Sequence, residues 1–133
     1  MSAAENKRLL EGIFAEMAKG NASLFVEAMA DDFQWKVMGR KNWTRSFDGK
    51  QAVLNDLFGL LRSRLEGNIV TTAQRIIADG DFVVVEARGS SRTKTGAAYD
   101  NAYCFVFRVE GGKLKEVREY MDTELATATF GKA

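Results

Sequence analysis

The chain of 133 residues contains no histidine, no proline and one cysteine. Without imidazole there is no Ser-His-Asp or Cys-His catalytic pair, no His-ligated metal and no imidazole acid/base, which removes a large share of enzyme chemistry. Cys104 alone can form neither an internal disulfide nor a multi-cysteine zinc site, and it fits a reducing compartment. No charge of one sign prevails either. Nineteen Lys+Arg against 18 Asp+Glu leave +1, with no long basic run to neutralise phosphates, so nucleic acid is not an expected partner. The first twenty residues are broken by Glu5, Lys7, Arg8, Glu11, Glu16 and Lys19, so neither a signal core nor a membrane span is expected there. The reading is a soluble, cytoplasmic protein with no membrane partner. What is present is 46% hydrophobic residues, enough for a core, in a length typical of one domain covering residues 1–133.

Leu9, Leu10, Ile13, Phe14 and Met17 recur at helical spacing, after a Ser2/Glu5 capping-box start. Gly20-Asn21 ends this helix, and Asn21 or Ser23 can cap a shorter one carrying Leu24, Phe25, Ala28 and Met29. Phe33, Trp35 and Val37 alternate with polar neighbours as a half-buried strand does. Residues 40–47 fit no period and read as a loop. Asp48 with Gln51 is a second capping-box signature, and Val53, Leu54, Leu57, Phe58, Leu61 and Leu65 form the stripe of a third helix from about Gly49 to Leu65. Then come β-branched, alternating runs: Ile69 to Ala78, an Asp79-Gly80 turn, and Phe82 towards Lys94. After Thr95-Gly96, the residues Tyr99, Asn101, Tyr103, Phe105, Phe107 and Val109 make the cleanest period-2 face. Gly111-Gly112 leads into a last strand ending near Asp122, and Thr123 to Ala128 can add a helical turn. The order α-α-β-α-β-β-β-β argues an α+β domain with helices covering one face of an antiparallel sheet.

A register for the last hairpin decides which residues face the helices. A two-residue Gly111-Gly112 loop would set Phe105 opposite Arg118 and mix charges into the best apolar face. A three-residue loop, Glu110 to Gly112, sets Asn101 opposite Met121, Tyr103 opposite Glu119 and Phe105 opposite Val117, and keeps the apolar set together. Glu119 then points towards the helices between Val117 and Met121, where a carboxylate must be paired, hydrogen-bonded or wet. Two readings follow. Either Glu119 is a satisfied buried acid bonded to Tyr103 or Asn101, or the helices leave a pocket in which Glu119, Tyr103, Asn101 and Tyr99 are the polar groups. The walls would then be Ile13, Phe14, Met17, Trp35, Phe58, Leu61 and Met121. Trp43 is read as a lid over the pocket mouth, a packing anchor or a dimer contact.

The segments Tyr99-Asp100-Asn101-Ala102-Tyr103, Gly111-Gly112-Lys113-Leu114 and Arg118-Glu119-Tyr120-Met121-Asp122-Thr123, with Trp35, Gly39 and Phe47-Asp48-Gly49-Lys50, make the chain resemble the SnoaL-like, ketosteroid-isomerase-related branch of the nuclear transport factor 2-like superfamily. The resemblance implies a cystatin-like cone, with three N-terminal helices on a curved, mainly antiparallel sheet, an apolar cavity and a homodimer through the sheet. The fold hosts isomerases, cyclases, hydrolases and binding modules. The tyrosine and two aspartates of ketosteroid isomerases match Ile13, Val37 and Cys104 or Phe105, so that mechanism is not expected. Limonene-type epoxide hydrolases pair an Arg-x-Asp with a second, last-strand Asp. Glu119 matches the latter, while Glu86-Ala87-Arg88 holds the former's charges in reverse order, on a face the Phe82–Val85 run leaves open. For a SnoaL-type cyclase, Glu119 or Asp122 would be the acid/base, though Asp122 can equally cap the terminal turn.

The expected function is binding of a small apolar molecule bearing a carbonyl or hydroxyl. An isomerase, cyclase or hydrolase would use Glu119 as acid/base, with Tyr103 and Asn101 orienting the ligand, and without metal or organic cofactor. The alternative is a non-catalytic ligand-binding or dimerisation module.

Overall fold

The apolar stripes of the helices and the period-2 faces of the strands meet in one core. A computed structural model describes residues 1–131. Helix α1 (Ala3–Met17) starts in a full capping box: the Glu5 N–H donates to Ser2 Oγ at 3.1 Å, and the Ser2 N–H to Glu5 Oε1 at 3.0 Å. It buries Leu10, Ile13 and Phe14, and α2 (Ser23–Ala28) adds Phe25. Residues 50–64 form one helical run made of α3 (Lys50–Ala52), a π-helical turn (Val53–Leu57) and α4 (Phe58–Arg64). The expected Asp48/Gln51 capping box does not form. Asp48 Oδ1 accepts instead from Ser46 Oγ at 2.9 Å and Gln34 Nε2 at 3.3 Å, and Gly49, at φ 96°, stands at the N-cap.

The strands are β1 (Met29–Val37), β2 (Arg45–Asp48), β3 (Leu65–Asp79), β4 (Phe82–Thr93), β5 (Ala98–Tyr99), β6 (Ala102–Glu110) and β7 (Lys113–Met121), followed by α5 (Thr123–Phe130). They run in the order β2-β1-β7-β6-β4-β3, with β5 on β4. Among the described residues only the β1–β7 pairing is parallel. This is the expected α+β architecture of helices packed on a curled, mainly antiparallel sheet. The structure adds β2 to the expected elements, separates β5 from β6, lengthens the expected terminal turn into α5 and starts β1 at Met29. Strand β2 lay hidden in the stretch read as a loop because it buries one side chain, Phe47, opposite Trp35. No helix among the described residues is long and apolar enough to cross a membrane.

The last hairpin corrects the expected register. Gly111 and Gly112, at φ 58° and 76°, form a two-residue loop with Glu110 opposite Lys113. Left-handed φ at both positions is what such a loop requires. A bulge then inserts Lys115 between the pairs Val109–Leu114 and Arg108–Glu116. Beyond it Phe107 pairs with Val117, Phe105 with Glu119 and Tyr103 with Met121. The expected pairing of Tyr103 with Glu119 is therefore displaced by two residues. An even displacement leaves every side chain on its face. Phe105, Phe107, Val117 and Glu119 are buried under the helices, while Arg118 and Tyr120 project outward.

Candidate functional site

The helices do not fill the space over the β1–β7–β6 part of the sheet. A cavity of about 430 Å³ remains, within the range of roughly 300–1,000 Å³ common for small-molecule sites. Phe14 and Met17 of α1, Phe25 of α2, and Leu57, Phe58 and Leu61 of the third helical run form its roof. Trp35, Val37, Phe105, Tyr103, Glu119 and Met121 form its floor. Tyr99, Ala126 and Phe130 close one end, where the rings of Tyr99 and Phe130 lie 4.6 Å apart. Trp35 is clasped edge-on by Phe33, Phe58 and Phe105 at centroid distances of 5.9–6.3 Å, so its indole is held in one orientation.

That orientation aims the indole N–H at the carboxylate on the neighbouring strand. Trp35 Nε1 donates to Glu119 Oε1 at 3.0 Å. The parallel register that sets Trp35 beside Val117 and Val37 beside Glu119 brings the two side chains within reach. Glu119 is 8% exposed, and that residual exposure faces the cavity. Burial among apolar groups pushes its pKa up from 4.5 to about 7, against the opposing pull of the Trp35 hydrogen bond. Its second oxygen, Oε2, has no hydrogen bond from the described residues and opens on the cavity. Tyr103 is half-buried, stacked on Phe105 at 5.2 Å, with its phenol next to that of Tyr99. Burial raises the pKa of both phenols, so each remains a neutral hydrogen-bond donor.

Of the residues singled out in the sequence, Phe14, Met17, Trp35, Trp43, Phe58, Leu61, Tyr99, Tyr103, Glu119 and Met121 all line this cavity. Two do not. Ile13 is packed inside the core and does not reach the cavity. Asn101 is fully buried beside it, and its amide is spent on the chain: Nδ2 donates to Tyr99 Oη at 2.9 Å and the Asp122 carbonyl at 3.1 Å, while Oδ1 accepts from the Ala102 and Asp122 N–H groups. The register displacement carries Asn101 past the last β6–β7 pair, where it ties the strand ends together instead of facing a ligand.

Asp122 caps α5 by accepting from the Leu125 N–H at 3.1 Å. Glu86 and Arg88 lie on the outer face, since Val83, Val85 and Ala87 take the inner one, and Glu86 pairs with Arg75 in solvent. Trp43 holds a left-handed φ of 69° and donates from Nε1 to the Gly131 carbonyl at 3.0 Å, with its ring against Phe130. It is thus a packing anchor for α5 that also lines the cavity mouth. Sequence reasoning assigned Trp35 only to the walls and missed its role as donor to Glu119; a lone indole on a strand carries no mark of its partner. Also missed were Val37, Phe25 and Phe105 in the lining and three arginines at the mouth, Arg45, Arg62 and Arg64. The alternation of Arg45 with Phe47 was the available signal for the first of these.

An α+β cone enclosing an apolar cavity with, among the described residues, one inward carboxylate is the class of protein that this geometry defines. Residues 10–117 match the family model described as SnoaL-like domain, and the chain belongs to that family. No curated protein matches the sequence. Among solved structures, an NTF2-like protein from Burkholderia xenovorans is 26% identical, with a TM-score of 0.72 over 97% of this chain and 98% of that one. A putative SnoaL-like polyketide cyclase from Jannaschia is 16% identical, with a TM-score of 0.77 over 97% and 93%. An epoxide hydrolase of the LEH-like type from M. tuberculosis is 20% identical, with a TM-score of 0.72 over 92% and 86%.

Proposed function

We propose that the protein binds a compact apolar molecule bearing a carbonyl or hydroxyl and moves a proton on it with Glu119. The observation that carries this reading is a carboxylate in an apolar cavity, held through one oxygen and free at the other, with a pKa of about 7. Such a group is divided between acid and base at neutral pH, where general acid/base catalysis is most effective. The cavity is equivalent to about 14 water volumes, room for a ligand of that order of non-hydrogen atoms. Glu119 would remove a proton beside the carbonyl, leaving an enolate, and return it at another carbon. The neutral phenol of Tyr103 would donate a hydrogen bond to the enolate oxygen.

Glu119 is the one carboxylate lining the cavity among the described residues. This favours an isomerase- or cyclase-type proton transfer over epoxide hydrolysis, which uses a second acid. The same solitude supports the second reading, a non-catalytic ligand-binding module. Turnover of a panel of small cyclic enones and β-keto esters, followed by absorbance, separates them. Catalysis predicts a rate that rises through about pH 7 and falls about 10²-fold or more in Glu119→Gln, with ligand affinity kept. Ligand binding with no difference in rate between the two proteins would leave only the binding module. A homodimer through the outer sheet face is part of the proposal, supported by the exposed apolar side chains Ile77, Phe82 and Tyr120 on that face; sedimentation showing only monomer would remove it.

A further inference from the structure

The mouth of the cavity differs in charge from its interior. Arg45 of β2 and Arg62 and Arg64 of α4 line it, all three exposed. Among the described residues none of them is paired with a carboxylate, and the lining that holds these three cations contains no acid except Glu119. Two of the rim arginines are held by uncharged contacts: the Arg45 guanidinium lies 4.5 Å from the Phe47 ring centroid, and Arg64 Nη1 donates to the Phe130 carbonyl at 3.3 Å. In a chain of net charge +1, three unneutralised cations around one opening are a local excess.

The sheet register sets the distance from this rim to the acid. Val37 pairs with Arg45 on one side and with Glu119 on the other, so the three occupy one row and project from one face. Two strand spacings put the Arg45 and Glu119 backbones about 10 Å apart. An anion at the rim would therefore lie away from the carboxylate that repels it. Arg62 and Arg64 stand in the last turn of α4, whose exposed carbonyls offset part of their charge, so the rim suits a single negative charge better than a phosphate dianion.

Building on the cavity reading above, we propose that the ligand is an amphipathic carboxylate. Its apolar body fills the cavity, its neutral reacting group meets Glu119, and its carboxylate is held at the mouth by Arg45, Arg62 and Arg64. Both tryptophans of the chain line the cavity, so intrinsic fluorescence reports binding directly. Decanoate and decan-1-ol form a matched pair of probes, compared at about pH 8 and low ionic strength. Decanoate is expected to bind about ten-fold more tightly, and this preference should shrink as salt is added. The triple variant Arg45→Gln, Arg62→Gln, Arg64→Gln should lose the preference while its affinity for decanol stays unchanged. Decanol binding as well as decanoate, or a preference that survives the triple variant, would overturn the rim assignment and leave the cavity reading intact. Binding of neither probe would overturn the rim assignment, and would overturn the cavity reading too if the cyclic enones also fail to bind.

Discussion

Glu119→Gln should make the protein more stable at neutral pH. The native pKa of about 7 lies above the ordinary value of 4.5, so the folded state holds the proton more tightly than the unfolded chain does. Below 4.5 both states are protonated and the group contributes nothing to the pH dependence. Between 4.5 and about 7 the unfolded state ionises first, so stability falls as pH rises; above about 7 both are ionised and the loss is complete. A shift of about 2.5 units at 1.36 kcal/mol each makes this loss about 3 kcal/mol. The glutamine amide is nearly the same size, can accept the Trp35 hydrogen bond and carries no charge, so the variant escapes the loss. Urea melts of both proteins from about pH 4 to about pH 8 would measure it. The curves should coincide in acid and diverge towards neutrality, until the variant is about 3 kcal/mol more stable. Parallel curves over the whole range would refute the reasoning, because they would mean that Glu119 is as well solvated in the fold as outside it.

Three further substitutions probe the surroundings of this acid. Trp35→Phe keeps the aromatic contacts and removes the one hydrogen bond that favours the ionised form, so the Glu119 midpoint should climb above 7, as read by carboxyl carbon NMR; an unchanged midpoint would deny the bond its role. Gly89→Ala would place a methyl 3.1 Å from Tyr103 Cε2 and force the ring to move by a few tenths of an ångström. The ring borders the cavity and has room to shift, so stability should change by less than about 1 kcal/mol while the near-ultraviolet circular dichroism changes. Asp122→Ala removes the cap on the Leu125 N–H and should cost about 1 kcal/mol, with faster amide exchange confined to α5.

The faces of the sheet were legible in the sequence and the pairing was not. Alternation along Tyr103, Phe105 and Phe107 marks an inner face whatever lies opposite it, and the register chosen to keep that face apolar, though displaced by two residues, placed Glu119 under the helices because its parity was right. The two-residue Gly111-Gly112 loop breaks that parity unless the hairpin corrects it further on. The bulge at Lys115 does so, but a lysine in a strand gives no sign that it is the unpaired residue. Judged by faces alone, the short loop looked unacceptable, although Gly-Gly is a preferred sequence for it. The same displacement separates Asn101, which ties strand ends, from Tyr103, which lines the cavity. Residues two apart on one face look alike until the end of the ladder is known.

Glu86 and Arg88 show the opposite limit. The run Phe82-Val83-Val84-Val85 is apolar at every position, so no alternation tells inside from outside, and only the packing of Val83 and Val85 against the helices sends Glu86 into solvent. That outcome bears on chemistry. Had the strand been turned over, Glu86 would have joined Glu119 beneath the helices and supplied the second acid of a hydrolase. As folded, it is neutralised on the surface by Arg75, and Glu119 is left without a carboxylate partner in the cavity. Glu119 owes its raised pKa to burial, opposed among the described residues by the Trp35 hydrogen bond, so the tuning depends on the aromatic packing around Trp35 and Phe105. Substitutions that let water into that packing should lower the pKa of Glu119 even when they touch neither of its oxygens.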